Sequence, residues 1–155
     1  VPADFHPRFQ KTVKTYEYRI LNREFPLPAY RFNSHFTYRK LDVERMRQAA
    51  AYLIGEHDFQ SFCAAGAQVK TTVRTIYGLD VKKQGDLIII RITGNGFLYN
   101  MVRIIAGTLM KIGQGDWEPE RMSEILAGCD RQLAGPTAPA KGLTLMEIHF
   151  KGEKG

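Results

Sequence analysis

The sequence has little of what marks cross-linked, metal-bound or membrane-spanning proteins. Only two cysteines occur in 155 residues, and Cys63 and Cys129 fit neither a disulfide framework nor a zinc-ligand spacing. The four histidines form no HxxxH pair, and the longest apolar runs, such as Leu87–Ile90, reach four or five residues. These absences argue against a bound metal and against a membrane helix, which needs roughly 18 apolar residues. The polar N-terminus also lacks the pattern of a signal peptide.

The motifs of several large enzyme classes are absent too. There is no Walker motif and no G-x-S-x-G elbow, and the GNG triplet at 94–96 lacks the remaining residues of a dinucleotide-binding fingerprint. His57, Asp58 and Ser61 fall within five residues, but hydrolase triads are normally assembled from separated segments. The sequence therefore disfavours nucleotide hydrolysis, dinucleotide chemistry and serine-hydrolase chemistry.

What is present is a globular composition with a basic surplus. Apolar residues make up 44% and charged residues 25%, and the net charge is +6. Residues 1–50 hold ten Lys and Arg against five Asp and Glu, so most of the surplus lies in the first third. A basic patch there would attract a polyanion such as nucleic acid, while a merely soluble basic surface fits the count equally well.

Periodicity in the sequence predicts both strands and helices. Residues 12–21 are rich in β-branched and aromatic residues that alternate with polar ones, which predicts a strand. Further strands are predicted at 73–82, 87–93 and 143–150, and a short extended segment at 34–38. Gln84-Gly85-Asp86 turns two of these strands into an antiparallel hairpin. Residues 57–62 are predicted as a short turn or helix.

Helical spacing predicts three helices. The first is capped by Asp42 and stopped by Gly55, the second runs over 98–112, and the third has Pro119 in its first turn and ends near Gly128. Gly107 inside the second helix is explained by close packing on a sheet. We therefore predict a single α+β domain over residues 1–155, an antiparallel sheet with helices packed on one face.

Arg103 is the anomaly of the second helix, because its sequence neighbours are Met101, Val102, Ile104 and Ile105. A buried guanidinium needs a carboxylate or another anion, and no acidic residue of the sequence stands in a motif that suggests a partner. Either Arg103 is a positioned cation at the floor of a cleft, or its stem runs along the helix to water.

Aromatic residues could form a second functional feature. Tyr16 and Tyr18 share one face of the first strand. Basic residues flank them: Lys11, Lys14 and Arg19. Rings interleaved with cations can stack nucleobases and neutralise phosphates, but packing in the core explains the two tyrosines as well. Phe97, just before the second helix, either closes a pocket or belongs to the core.

Five segments follow one another in a pattern shared with a known family. They are DFHPRF (4–9), KTYEYRI (14–20), HDFQSF (57–62), GNGFLYNMVRIIAG (94–107) and GLTL (142–145). Together, over nearly the whole chain, they resemble the C-terminal half of the tRNA pseudouridine synthase A family.

The resemblance implies an isomerase that converts uridine to pseudouridine in the anticodon arm of tRNA, at positions 38, 39 and 40. In such enzymes the uracil is detached from the ribose at N1, turned, and reattached through C5, with no cofactor and no metal. The target base must first leave the helical stack. Members of the family are homodimers that contact tRNA with both subunits, so the resemblance implies a homodimer for the full-length enzyme. It also implies a cytoplasmic protein without a membrane partner.

The same resemblance assigns site residues. Arg103 matches the arginine that pairs with the catalytic Asp, and Tyr16 matches the active-site tyrosine that stacks near the uracil. Phe97 and Leu143 match pocket walls that contact the substrate. The candidates for contacts with the RNA are Arg8, Lys11, Lys14 and Arg19.

One family motif is missing. The catalytic Asp of the family stands in GRTDxGVH, which this sequence does not contain. Together with a start at Val1 rather than Met, this suggests a piece of a longer enzyme that supplies part of the active site but not the nucleophile. Such a piece should expose an apolar patch or an open sheet edge. The alternative is a non-catalytic RNA-binding or assembly domain.

Overall fold

The computed structural model of the protein describes residues 11–30, 33–64, 66 and 69–151. The strands of this part are β1 (Lys11–Asn22), β2 (His35–Thr37), β3 (Gly55–Asp58), β4 (Val73–Gln84), β5 (Leu87–Gly94) and β6 (Leu143–Lys151). Its α-helices are α1 (Val43–Ala51), α2 (Met101–Gly113) and α3 (Arg121–Gly128).

The six strands form one mixed sheet. Its order is β2-β1-β5-β4-β3, and β6 pairs with β1 along the edge that β2 also uses. The β4–β5 hairpin is confirmed, and so is the α+β class. The pair of β1 with β2 is parallel rather than antiparallel, because the chain crosses over between them through a 3₁₀ turn at Pro28–Tyr30.

The core lies between one face of the sheet and the helices α1 and α2. Ile88 and Ile90 of β5 pair with Ile20 and Tyr18 of β1, and all four side chains are buried. Paired residues of neighbouring strands share a face, so this face is the one that the helices cover. Each fully buried aliphatic side chain contributes roughly 1.5–3 kcal/mol. No helix in the described residues is long and apolar enough to cross a membrane.

The predicted cap of the first helix is confirmed, but its end is not. Asp42 accepts hydrogen bonds from the backbone N–H groups of Glu44 and Arg45. The helix ends at Ala51, and the chain leaves it through tighter i to i−3 bonds. Gly55 instead begins β3, with a φ of +104°. Residues 57–62, predicted as a short turn or helix, contain the end of β3 and then a 3₁₀ turn at Gln60–Phe62.

The other two helices start later than their sequences indicate. α2 begins at Met101 rather than at 98, because Asn100 adopts a left-handed backbone conformation. Pro119 lies in the turn before α3, which begins at Arg121. Gly107 does allow a close approach, but to a loop and not to the sheet: a Cβ there would overlap the carbonyl oxygen of Pro136.

Candidate active site

A single cleft collects four of the residues predicted from the sequence. Tyr16, Phe97, Arg103 and Leu143 all line an open cleft of about 210 Å³ at the N-terminal end of α2. The rest of its wall is Leu98, Tyr99, Asn100, Met101 and Val102. Segments far apart in the sequence therefore meet at one place.

Tyr16 and Phe97 form the aromatic part of the cleft. Their rings meet edge to face, with the centroids 5.3 Å apart. Tyr16 is held in the sheet between Ile92 and Leu145, and Phe97 packs against the core as well as lining the cleft. Gly94 permits this placement, because a Cβ there would lie 3.2 Å from the Phe97 ring and 2.8 Å from the Thr75 carbonyl oxygen.

Leu143 supplies an apolar wall at the start of β6. It pairs with Tyr18 across the sheet, is half-buried, and packs against the core. The 3₁₀ turn Ala140–Gly142 directly precedes Leu143. Gly142 is required there, because a Cβ would lie 2.6 Å from the Tyr18 ring.

Arg103 is half-buried and points its guanidinium at two neutral acceptors. Its Nε donates to the Ala138 carbonyl oxygen at 2.7 Å, and its Nη1 donates to Oδ1 of Asn100 at 3.3 Å. Within the described residues no carboxylate oxygen lies within 4.0 Å of it. A guanidinium has five N–H donors, so three are left for another partner.

Tyr18 belongs to the core, unlike Tyr16. Its side chain is fully buried, and its hydroxyl donates to the Pro139 carbonyl oxygen at 2.6 Å. Burial raises the pKa of this hydroxyl above its ordinary value, and the nearby positive charge of Arg103 opposes only part of that rise. Tyr18 therefore stays neutral and ties the loop before β6 to β1.

The basic residues predicted to contact RNA do not lie together. Lys14 shares the face of β1 that carries Tyr16, whereas Arg19 lies on the opposite face, with Nε 3.5 Å from Oε1 of Glu17. For Lys11 only the backbone placement in β1 is described, and Arg8 lies outside the described residues.

Much of the basic surplus of the first third is paired within the chain. Three further arginines there form ion pairs with residues far away in the sequence: Arg23 with Asp86, Arg39 with Asp116 and Arg45 with Glu118. Their charge is therefore less available to a polyanion than the count suggests.

The residues of the apparent hydrolase triad have other partners. His57 Nε2 hydrogen-bonds with the Ile54 carbonyl oxygen, and Ser61 donates to the Ile125 carbonyl oxygen. Asp58 accepts from the hydroxyl of Thr72. No group of three or more metal-ligating side chains converges in the described part of the chain.

Larger clefts exist elsewhere in the described residues. One of about 360 Å³ lies beside Leu21, Pro28, Phe36 and Lys141, and it is mostly apolar. The smaller cleft at α2 combines a guanidinium that has no carboxylate partner in the described residues with the aromatic rings of Tyr16, Phe97 and Tyr99. It can accept a planar heterocycle against the rings and a negatively charged group at Arg103.

Sequence reasoning missed Asn100 and the loop at Ala138. A signal for Asn100 was present, because Asn is a common residue directly before a helix, but the predicted helix start at 98 placed it inside the helix. Nothing local marks Ala138, which meets Arg103 only through the tertiary fold.

The chain is similar to known proteins over most of its length. A sequence model described as tRNA pseudouridine synthase matches residues 49–151, a range that includes Phe97, Arg103 and Leu143. The tRNA pseudouridine synthase A of Brevibacillus brevis is 54% identical over 151 residues, which are 97% of this chain and 62% of that protein. The chain belongs to the tRNA pseudouridine synthase family.

Two further relatives support the family assignment. The tRNA pseudouridine synthase A of Bacillus pumilus is 47% identical over 97% of this chain and 61% of that protein. The tRNA pseudouridine synthase A 2 of Clostridium tetani is 46% identical over 97% of this chain and 60% of that protein. The chain thus spans 60–62% of the length of these three tRNA pseudouridine synthases.

Proposed function

We propose that the chain forms part of the active site of a tRNA pseudouridine synthase that acts on uridines 38–40 of the anticodon arm. The observation that carries the proposal is the cleft itself, where Tyr16, Phe97 and Leu143 surround a cation without a carboxylate partner in the described residues. A uracil ring fits the aromatic walls, and a carboxylate fits Arg103.

The proposed reaction is an isomerisation and needs no co-reactant. The bond between uracil N1 and ribose C1′ breaks, a bond between C5 and C1′ forms, C5 loses its proton, and N1 gains one. Tyr16 is the proposed group that handles the C5 proton. Arg103 forms a bidentate, charge-assisted pair that keeps the catalytic carboxylate ionised and oriented.

The carboxylate itself is proposed to come from a GRTDxGVH segment outside this chain. An exposed edge of β6 supports a contact with further protein: Leu145, Met146 and Ile148 are exposed there, and within the described residues β1 is the one strand paired with β6. Such an edge offers free backbone donors and acceptors.

The remaining parts of the proposal concern partners. Lys14, on the same face as Tyr16, is the best placed of the candidate phosphate contacts, while Arg8, Lys11 and Arg19 are candidates farther along the RNA. The complete enzyme is proposed to be a homodimer that binds one tRNA with both subunits. The complete enzyme is also proposed to act in the cytoplasm.

Release of tritium from tRNA labelled at uridine C5 tests this function, because the label is lost when C5 bonds to the ribose. We expect no release from the chain alone and release after a segment with GRTDxGVH is added. The matched control is the same mixture with Arg103→Ala, which should release tritium about 10² to 10³-fold more slowly.

Two results would contradict the proposal. Strong release by the chain alone would show that its own residues supply the nucleophile. No release in any complemented mixture, together with salt-sensitive binding of tRNA, would instead favour a non-catalytic RNA-binding domain.

A further inference from the structure

Asn100 has an unusual backbone conformation for a residue with a side chain. It directly precedes α2 with φ 60° and ψ 13°, in the left-handed region. Among the described non-glycine residues the only other one with a positive φ is Cys129. Asn tolerates this region better than most residues, but the conformation is still sparsely populated and persists only where the surroundings hold it.

The side chain of Asn100 does not do what Asn usually does before a helix. An Asn in this position normally accepts a hydrogen bond from a backbone N–H of the first turn. Here the side chain makes no such bond, and Oδ1 accepts from Nη1 of Arg103. The backbone carbonyl of Asn100 still accepts from Ile104 N–H at 2.9 Å, so the helix starts normally.

A second contact holds the other side of the guanidinium. Nε of Arg103 donates to the Ala138 carbonyl oxygen, and the Ala138 N–H donates back to the Arg103 carbonyl oxygen at 3.0 Å. Arg103 is therefore fixed at Nε and at Nη1. The two hydrogens of Nη2 and one of Nη1 are left, and they lie on adjacent nitrogens in the plane of the group.

We propose that Asn100 is a positioning residue, which turns the guanidinium of Arg103 so that its free N–H groups meet the catalytic carboxylate. This inference rests on the proposed function. Asn100 acts through Arg103 and does not itself touch the reacting atoms. The left-handed backbone is what directs Oδ1 toward Arg103 instead of toward the first turn of α2.

The test is Asn100→Gly in the longer enzyme. Glycine adopts a positive φ without strain, so the variant keeps the backbone and removes only the acceptor. We expect kcat to fall about tenfold with KM for tRNA unchanged, because a small misplacement of a catalytic group slows the chemical step. The matched control is Cys129→Gly, which removes a side chain at the other left-handed position and should change kcat by less than about twofold.

Nitrogen-15 NMR of the 155-residue chain gives a second readout that needs no activity. Restricted rotation about the Nε–Cζ bond should give Arg103 two separate Nη signals in the wild type, assigned by their loss in Arg103→Lys. In Asn100→Gly these signals should average to one.

The possible outcomes separate this inference from the function. If Asn100→Gly keeps the wild-type kcat, or if the Arg103 signals are unchanged by it, the positioning role is wrong while the function stands. If the longer wild-type enzyme releases no tritium, the proposed function fails, and this role for Asn100 fails with it.

Discussion

Charged groups lie next to both faces of β1, and they are paired in different ways. On the face away from the helices, Glu17 is only 5% exposed and accepts hydrogen bonds from Nε and Nη2 of Arg91, and it also lies near Arg19. On the face of the cleft, Arg103 binds a carbonyl and an amide oxygen, with no acidic partner in the described part of the chain. The charge of Glu17 is balanced by arginines of the same chain, whereas the charge of Arg103 has no counter-ion in the described residues.

This difference separates a structural ion pair from the cation that we propose acts in the site. A buried carboxylate destabilises the fold unless it is paired. Arg91 and Arg19 pair with Glu17, so the stability of the fold is enough to account for this cluster of Glu17, Arg19 and Arg91. The Arg103 guanidinium has N–H donors left over in a cleft that is lined by aromatic rings. The oxygens of Asn100 and Ala138 orient this guanidinium without neutralising its charge, as expected of a cation that binds an anion.

The largest expected effect comes from removing the unpaired cation. Arg103→Ala in the longer enzyme should lower kcat/KM by about 10² to 10³-fold, or roughly 3–4 kcal/mol, because the catalytic carboxylate loses its partner. Single-turnover assays with tritiated tRNA measure this. Arg91→Met is the matched control, since it removes an arginine from the other face and should leave turnover within about twofold. An equal loss of kcat/KM in Arg103→Ala and Arg91→Met would show that Arg103 has no special part in the reaction.

The next largest effect is on stability and comes from the opposite face. Arg91→Met leaves the buried Glu17 carboxylate without its hydrogen bonds and should reduce the free energy of unfolding by about 2–3 kcal/mol. Urea denaturation of the chain measures the change. Arg39→Met breaks a solvent-exposed pair with Asp116 and should lower stability by less than about 1 kcal/mol. A loss as small in Arg91→Met would mean that the Glu17 cluster contributes little.

The smallest effect concerns Tyr18, the buried neighbour of Tyr16 on the cleft face. Its pKa is raised above the ordinary 10.0, so above pH 10 the unfolded chain releases this proton while the folded chain keeps it. The free energy of unfolding should therefore fall as pH rises, by up to about 1.4 kcal/mol per pH unit from this group.

Tyr18→Phe should remove that part of the slope. Urea melts between pH 9 and pH 11 measure it, and Tyr38→Phe, an exposed tyrosine, is the control that should keep the wild-type slope. An unchanged slope in Tyr18→Phe would show that the hydroxyl ionises as easily in the folded chain as in the unfolded one.

Local chemistry explains which parts of the fold were predictable. The β4–β5 hairpin follows from two strand-forming segments joined by a short turn at Gly85, which takes a φ of +61°. The cap of α1 follows from Asp42 alone. The parallel pairing of β2 and the contact of Gly107 with Pro136 depend on where distant segments pack, and no local pattern encodes that.

The candidate site likewise has some features that could be predicted from the sequence and others that depend on tertiary packing. Arg103 stands out in the sequence because a charge interrupts an apolar helix, and family resemblance named Tyr16, Phe97 and Leu143; the cleft brings these together, while their catalytic roles stay predictions. The orientation of Arg103 was not predictable. It arises from a left-handed Asn100 and from a carbonyl 35 positions along the chain, at Ala138.

The position of β1 between β5 and β6 has a consequence for biosynthesis. The strand that carries Tyr16 is made more than a hundred residues before β6, one of its hydrogen-bonding partners. Until β6 is made, the backbone groups on that side of β1 are open to water and can pair with another nascent copy. Slow translation of the last segment should therefore favour aggregation, whereas chaperones that shield strand edges should favour the native chain.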